Sequence, residues 1–209
     1  MIEVTSLASS SRANAHLITD GISPLLLDCG LSIKEIRRRS GFGLTNLIGV
    51  LVTHEHKDHS RAAIDLMRAG IDVYMTAGTA EALGIEHHRL KVIQAKKQVK
   101  IGTWTVLPFD IQHDAKEPVG FLLANQDGGK LLYATDTYYV RYKFPGLTHI
   151  MVECNYAGDI LQANLEAGVV SAALIKRLLQ SHFSVDNVRA FLQANDLSNV
   201  REIHLIHLS

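Results

Sequence analysis

The segment His54-Glu55-His56-Lys57-Asp58-His59 is the most informative part of this 209-residue sequence. It places four potential metal ligands within six positions, directly after an apolar run at 47–52 that predicts a buried strand. Imidazole and carboxylate donors in this combination suit zinc, manganese or iron(II) better than calcium. In a loop at the end of a strand, His54 and His56 can converge on one ion while Asp58 and His59 turn towards a second. The alternative is a solvated polar loop.

Length and composition limit the class of protein. A chain of 209 residues suffices for one large domain and is short for two, so we expect a single domain over 1–209. Hydrophobic residues make up 47% and charged residues 20%, which is typical of a soluble globular protein. Lys plus Arg equals Asp plus Glu at 21 each, so any anionic substrate must be attracted locally, and bound metal ions can do that.

The sequence also bears on compartment. Cys29 and Cys154 lie far apart and outside any metal-type spacing, so we expect no disulfide framework. The amino terminus lacks a basic region followed by an apolar stretch, which argues against a secretory signal. There is no run of about 18 apolar residues, so no transmembrane helix is expected. These features predict a cytoplasmic protein with no membrane partner.

Short β-rich runs alternate with helical patterns along the whole chain. Buried or half-buried strands are predicted at 25–29, 47–52, 72–76, 88–93, 103–111, 120–124, 131–135, 150–153 and 202–207. Helices are predicted at 33–40, 61–69, 79–83, 165–180 and 185–194, and the last of these has Ser184 as its N-cap. Periodicity alone indicates an α/β or α+β fold. The presence of strands and helices in both halves favours an αββα four-layer sandwich.

The HxHxDH pattern at a strand end resembles the signature of the metallo-β-lactamase superfamily. In that family a later histidine, a bridging aspartate and a final histidine complete the site, and the matching positions here are His113, Asp136 and His207. Taken singly, these residues would be a surface loop histidine, a turn aspartate and a core histidine. The resemblance implies two divalent ions, Zn²⁺ or Mn²⁺, the first bound by His54, His56 and His113, the second by Asp58, His59 and His207, with Asp136 bridging.

Further segments resemble the nuclease-like branch of that superfamily. Val152-Glu153-Cys154-Asn155 resembles the acidic motif of ribonuclease J and polyadenylation endonucleases, and Ser181-His182-Phe183-Ser184 resembles their catalytic-histidine motif. The serine-rich segment 6–15, interpreted as a loop, and the final His-Leu-Ser are similar to the small YycJ (WalJ)-like proteins. The chain departs from that family at Ser9 and Arg12, where glycine is usual, and it lacks the large inserted domain of the ribonuclease J branch.

The resemblance implies a metal-dependent phosphodiesterase, most specifically an exonuclease with DNA as substrate. In this hypothesis a hydroxide that bridges the two ions, oriented by Asp58, attacks phosphorus. His182 is the candidate general acid because a histidine pKa lies near the working pH; substrate positioning is the competing role. Glu153 is predicted either to hold and polarise His182 or to pair with a ligand histidine, the alternative being a surface glutamate.

Weaker candidates lie nearby. Ser10, Ser11 and Asn14 are predicted to contact phosphate oxygens, although serine-rich loops are commonly only turns. Asp28 is predicted to orient the HxHxDH loop through hydrogen bonds. A rival hypothesis is a hydrolase of a small phosphodiester, thioester or lactone, and a third is a metal-binding protein without catalysis. A basic groove beside the metals would favour the nuclease, and a closed apolar pocket would favour a small substrate.

Overall fold

The computed structural model describes residues 1–41 and 43–208, and within them twelve strands form two six-stranded sheets. From edge to edge, the first sheet contains β1 (Glu3–Ser10), β2 (Ala13–Thr19), β3 (Leu25–Leu27), β4 (Gly49–Leu51), β5 (Val73–Thr76) and β6 (Leu90–Ile93). The second contains β12 (Glu202–Ile206), β11 (His149–Glu153), β10 (Lys130–Ala134), β9 (Val119–Ala124), β8 (Trp104–Asp110) and β7 (Val99–Ile101).

Helices connect the parallel strand pairs except β10 and β11, which are joined by residues 135–148 without a helix. In the first sheet β3 to β6 run parallel, and the crossovers carry α1 (Ile33–Arg39), α2 (Lys57–Ser60), α3 (Ala63–Arg68) and α4 (Ala77–Leu83). In the second sheet β11 and β12 are parallel and are joined through α5 (Gly158–Glu166), α6 (Ala172–Ser181) and α7 (Val185–Ala194). Parallel neighbours require such crossover connections, whereas β1–β2 and β7–β10 are antiparallel and need only short turns.

Three buried clusters define the layers. Along β3, Leu25 and Leu27 pack into the core between the sheets, while Leu26 points to the opposite face and packs with Ile36 of α1. This alternation follows from the period of two residues in a strand. Trp104, Tyr133 and Phe121 dominate the central core, and a third cluster lies on the outer face of the second sheet. The predicted αββα four-layer sandwich is confirmed.

Several predicted elements need correction. The helix predicted at 165–180 starts too early: α5 ends at Glu166, the chain turns at Gly168 with φ +68°, and α6 starts at Ala172 with Ser171 as N-cap. The part of α5 before residue 165 was not predicted. The serine-rich segment 6–15 is not a loop: it forms most of the β1–β2 hairpin, with a turn at Ser11 and Arg12. Strand β7 was not predicted. Within the described residues, no helix is long and apolar enough to cross a membrane.

Candidate metal centre

The predicted ligands converge at one end of the sandwich. His54 lies three residues after β4, His113 three after β8 and Asp136 two after β10, while His207 directly follows β12. His56, Asp58 and His59 lie at the start of the short helix α2, where the chain turns over the strand ends. Both sheets therefore supply side chains to the same point, and the HxHxDH segment meets residues that are up to about 150 positions away along the chain.

One group of donor atoms consists of three imidazole nitrogens and a carboxylate. His56 Nδ1 lies 3.1 Å from both His54 Nε2 and His113 Nε2. Asp136 Oδ2 lies 3.5 Å from His54 Nε2 and 3.6 Å from His113 Nε2. Nitrogen ligands about 2.0–2.1 Å from a tetrahedral ion are about 3.3–3.4 Å from one another. The spacing of these four atoms fits one divalent ion.

The second group has the same character. His59 Nε2 lies 3.3 Å from Asp58 Oδ2 and 3.2 Å from Asp136 Oδ2, and His207 Nε2 lies 3.3 Å from Asp136 Oδ1. His207 Nε2 is a buried atom without a hydrogen-bond partner in the described part of the chain. A buried nitrogen of this kind is costly unless it binds something. These four residues could therefore hold a second ion, with Asp136 common to both groups.

Asp28 fixes the histidines of the HxHxDH segment from behind. Its buried carboxylate accepts hydrogen bonds from His59 Nδ1 at 2.8 Å, from Thr53 N at 2.8 Å and from the Tyr133 hydroxyl at 2.7 Å. The Thr53 hydroxyl donates to Asp28 and lies 3.0 Å from His54 Nδ1. When the Nδ1 atom of a histidine is occupied in this way, Nε2 is left to face the ion. The role predicted for Asp28 is confirmed at the level of these hydrogen bonds.

Glu153 joins two histidines through a single carboxylate oxygen. Its Oε1 lies 2.6 Å from His182 Nδ1 and 3.0 Å from His207 Nδ1, and Oε2 accepts from Thr137 N at 3.0 Å. Glu153 is completely buried, so the surface alternative is wrong and both predicted contacts occur together. The His182 and His207 rings stack with centroids 5.4 Å apart. His182 therefore lies directly beside the second group of ligands.

The electrostatics of the site centre on Asp136. Burial acts to raise the pKa of this carboxyl, but His59 and His207 beside it hold the pKa well below its ordinary value. Burial, reinforced by His59, holds the pKa of His54 well below its ordinary value, so this ring is neutral at pH 7, the form that binds metals. For His207, burial acts to lower the pKa, while the carboxylates of Asp58 and Glu153 beside the ring raise it to about 10.

Backbone strain is concentrated at the same place. Among the described residues, four that are not glycine have positive φ, and three belong to this site: Asp28 at 56°, Asp136 at 49° and His207 at 55°. Such conformations are uncommon outside glycine and cost about 1–3 kcal/mol each, and they persist where the surrounding contacts impose them. Gly30 is also dictated by the site, because a Cβ there would lie only 1.7 Å from the Asp58 carbonyl oxygen.

The serine-rich segment 6–15 was predicted to be a loop, but it contributes to the site as part of the β1–β2 hairpin. Asn14 is buried on β2, with Nδ2 3.1 Å from His59 Nε2 and 3.0 Å from the Ser10 carbonyl oxygen. Ser11 is exposed at the hairpin turn. The contacts of Ser10, Ser11 and Asn14 with a phosphate stay a prediction. Ser9 had been noted only as a departure from glycine, but its hydroxyl accepts a hydrogen bond from His207 N at 2.8 Å.

Other residues of the site were missed by the sequence analysis. Tyr133 reaches Asp28 from the opposite sheet, and the Ser181 carbonyl lies 3.3 Å from His113 Nδ1. Thr137 donates its backbone N–H to Glu153. One indication of these residues was present in the sequence: Thr53, Ser181 and Thr137 are each next to a residue that had been predicted to belong to the site.

Comparison with known proteins shows which sequences this chain resembles. Residues 24–207 match the profile of the Beta-lactamase superfamily domain. The exodeoxyribonuclease WalJ of Streptococcus pneumoniae is 29% identical over 224 aligned residues, which cover 97% of this chain and 80% of the relative. The exodeoxyribonuclease YycJ of Bacillus anthracis is 30% identical, with coverage of 97% and 81%.

Solved structures agree on the fold. The metallo-β-lactamase fold protein YhfI from Bacillus subtilis superposes with a TM-score of 0.73 at 17% identity, covering 100% of this chain and 87% of that one. The short form of human tRNase Z gives 0.72 at 15% identity, with coverage of 100% and 93%. At these identities the similarity concerns the fold alone.

Proposed function

This chain belongs to the metallo-β-lactamase superfamily and is a metal-dependent hydrolase, and from that premise we propose that it is a phosphodiesterase that degrades DNA as an exonuclease. The observation that carries the proposal is the buried carboxylate of Glu153, which holds His182 beside the ligand His207. A second histidine oriented in this way supplies a proton donor next to the candidate metal centre, and in phosphodiester cleavage the departing oxygen must be either protonated or stabilised by a metal. The relatives named as exodeoxyribonucleases support DNA as the substrate.

We assign the two groups of donor atoms to two divalent ions, Zn²⁺ or Mn²⁺. His54, His56 and His113 belong to the first ion, Asp58, His59 and His207 to the second, and Asp136 to both. When bound, two such ions would activate water as a nucleophile and stabilise the charge that develops on the phosphate. Asp58, which is partly exposed at the entrance, is positioned to orient the attacking water from the open side.

His182 is assigned as the general acid. Its Nδ1 is bonded to Glu153, so Nε2 is the ring nitrogen available to deliver a proton to the departing oxygen. Glu153 in turn is fixed by the backbone N–H of Thr137, which limits the freedom of the His182 ring. Part of the His182 side chain is exposed, as access to a substrate demands. General acids of this type typically contribute about 10²–10⁴-fold to the rate.

A second candidate is a hydrolase of a small thioester, lactone or phosphodiester. The specific observation in its favour is an apolar groove beside His182, lined by Cys154, Ile160, Leu161 and Leu174 among others. Such a groove suits an apolar acyl chain. A second groove, which contains Asp58, is open and rich in cationic side chains, and it favours the nucleic-acid substrate.

The deciding experiment is degradation of end-labelled, 5′-phosphorylated double-stranded DNA by protein reconstituted with Mn²⁺, compared with the same protein in chelator. We expect stepwise loss of nucleotides that chelator abolishes and that His54→Ala eliminates. His88→Ala, an exposed histidine away from the ligands, is the matched control and retains activity. If protein shown to contain two metals per chain leaves DNA intact, the nuclease proposal is wrong, and thioester and small phosphodiester substrates are tested next.

A further inference from the structure

An open groove of about 920 Å³ extends from the metal centre along α2 and α3. We call it the basic groove; its lining includes Arg12, Lys57, Asp58, Arg61, Ile64 and Arg68. Asp58 is at the inner end, because it belongs to the second group of metal ligands. The groove is therefore connected to the centre, and a molecule that lies in it touches the place where the reaction occurs.

The side chains that line the basic groove are mainly cationic. Four cationic side chains line it, whereas Asp58 is committed to the metal centre and Glu86 is the other acidic lining residue. Arg12, Lys57 and Arg61 are exposed, and none of them forms an ion pair within the described part of the chain. Arg68 lies 3.7 Å from Asp65, an exposed pair that contributes little. The chain as a whole has no net charge, so this local excess is not a consequence of composition.

The cations are also arranged in a row. Lys57 begins α2, Arg61 follows its end and Arg68 ends α3, so the three cations are spaced along the two consecutive helices that border the groove. Because α2 and α3 are separate helices, the length of one continuous helix of eleven residues, about 16 Å, is an upper limit for the length of the row. Phosphates on one strand of nucleic acid follow one another at about 3.4 Å along the helix axis, so the row can contact at most about five of them.

Apolar side chains complete the groove. Ile64 lies between Arg61 and Arg68 in the sequence, and Leu83, which ends α4, and Ile85 form the rest of the apolar lining. A positively charged groove that follows the backbone is how proteins bind single strands without sequence preference. Here the aliphatic side chains beside the cations offer an apolar surface to the sugars. A small thioester or lactone would use neither the length of the row nor its charge.

We propose that the basic groove binds the sugar–phosphate backbone of the DNA strand whose end is being hydrolysed, over at most about five nucleotides beyond the scissile phosphate. This inference rests on the proposed function and adds to it the path of the substrate. Arg12 on the hairpin turn and Lys57 contact the phosphates nearest the metals, and Arg61 and Arg68 contact those further away. Since the contacts are to phosphates, binding depends on length and salt and not on base sequence.

The test measures binding separately from cleavage. Labelled phosphorothioate oligothymidylates of two to ten nucleotides, which retain the charge but resist hydrolysis, are titrated with metal-loaded protein by fluorescence anisotropy. We expect Kd to fall with length up to about five nucleotides and then to level off. Replacing one phosphate-contacting cation reduces the salt dependence of log K by about 0.7, which is a roughly 5-fold weaker Kd at about 0.1 M salt.

The informative variants are Arg61→Gln, Arg68→Gln and the two combined, with metal content measured in each. We expect roughly 5-fold weaker binding for each single variant and roughly 25-fold for the double variant, with two metals retained. The matched control is Arg201→Gln, an exposed arginine just before β12 at the opposite end of that strand from His207, and it leaves Kd unchanged.

The outcomes separate the two proposals. A Kd that is independent of length, or unchanged in the double variant, overturns the groove proposal even if the protein degrades DNA. Length-dependent binding that the double variant weakens, in protein that hydrolyses no DNA, confirms the groove and overturns the proposed nuclease activity. Because metal content is measured in each variant, a weaker Kd in Arg68→Gln protein that retains its metals excludes a loss of metal as the cause.

Discussion

At the scale of single residues, Glu153 affects both metal binding and catalysis in the proposed mechanism. One of its carboxylate oxygens contacts the proposed metal ligand His207 and the proposed acid His182. Glu153→Gln preserves shape but loses the charge that holds two imidazole N–H groups. We expect metal affinity at the second site to fall about 10–100-fold, as for other residues that orient a metal-binding histidine, while the first site keeps its ion. Metal titration followed by calorimetry measures this affinity.

The control variant is Glu202→Gln, which removes the partner of His204 on an exposed strand. Equal metal affinities in the original chain and both variants would contradict the role assigned to Glu153.

His182 gives a prediction that distinguishes a proton donor from a side chain that only positions the substrate. His182→Ala should reduce kcat on DNA by about 10²–10⁴-fold without loss of metal, because the departing oxygen then leaves unprotonated. A nucleotide p-nitrophenyl ester has a leaving group that needs no proton, so the variant should hydrolyse it at close to the original kcat. An equal loss on both substrates would show that His182 positions the phosphate and is not the acid.

His16 makes the stability of the chain depend on pH. This ring is completely buried with Nδ1 2.9 Å from the Ser6 hydroxyl, and burial, partly offset by Asp28, lowers its pKa to about 4. In the unfolded chain the pKa is about 6.5, so below that pH the unfolded state binds a proton that the folded state does not. The free energy of unfolding should therefore fall by up to about 3 kcal/mol as pH decreases from 6.5 to 4.

The comparison that isolates this effect is His16→Gln, which retains a side chain able to bond Ser6 but cannot titrate. Urea unfolding at several pH values should show that the variant loses less stability than the original chain between pH 6.5 and 4. Parallel pH profiles for the two proteins would mean that His16 is protonated in the folded state as readily as in the unfolded one.

At the scale of secondary-structure elements, the junction between α6 and α7 presents His182 to the site. Ser184 begins α7, and its hydroxyl accepts a hydrogen bond from Asn187 N at 3.1 Å. Ser184→Ala should lower the free energy of unfolding by about 1 kcal/mol, and Ser184→Asp should recover most of it, because both serine and aspartate satisfy the first N–H groups of a helix. Urea unfolding measures the change. Ser198→Ala, at an exposed turn, is the control; equal stability of Ser184→Ala and the control would show that the cap contributes nothing.

The sequence predicted those elements whose signal is local. The apolar runs of β3 and β4 and the ligands that follow strand ends were identified because hydrophobicity and spacing suffice to recognise them. The β1–β2 hairpin was missed because its serine, threonine and asparagine side chains show no hydrophobic alternation. The break between α5 and α6 was missed because one glycine within a helical pattern is compatible with a continuous helix.

The same distinction holds within the site. The seven candidate ligands were found from the contiguous HxHxDH segment and its resemblance to a known family, and the structure brings all seven together. The hydrogen bond from Tyr133 to Asp28 was not found, because it joins residues of opposite sheets that are 105 positions apart. Contacts of this kind are specified by the packing of the two sheets and leave no pattern in the sequence.

At the scale of the whole molecule, the metal centre connects the two sheets, since His54 follows β4 of the first sheet and His113 follows β8 of the second. Ions bound there should stabilise the folded chain. A ligand at 100 times its Kd adds about 2.7 kcal/mol, which corresponds to about 5–10 °C in Tm for a chain of this size. We expect chelator to lower Tm by at least this amount and added Mn²⁺ or Zn²⁺ to restore it.

Calorimetry with and without chelator tests this expectation, with His54→Ala as the comparison. Because that variant loses a ligand of the first ion, chelator should lower its Tm by less. An identical Tm for the original chain in metal and in chelator would show that the sheets are held together without help from the centre.

The residues assigned to the two ions are synthesised at different times, because the first group ends at Asp136 and the second at His207. The ribosome adds residues from the amino terminus, so His54, His56, His113 and Asp136, the complete ligand group of the first ion, exist before His207 does. Asp136 and His207 are 71 residues apart, which takes about 4–14 s at about 5–20 residues per second. For those seconds the nascent chain contains all the residues assigned to the first ion but not His207, which is assigned to the second, so the first group of proposed ligands is synthesised before the second is complete.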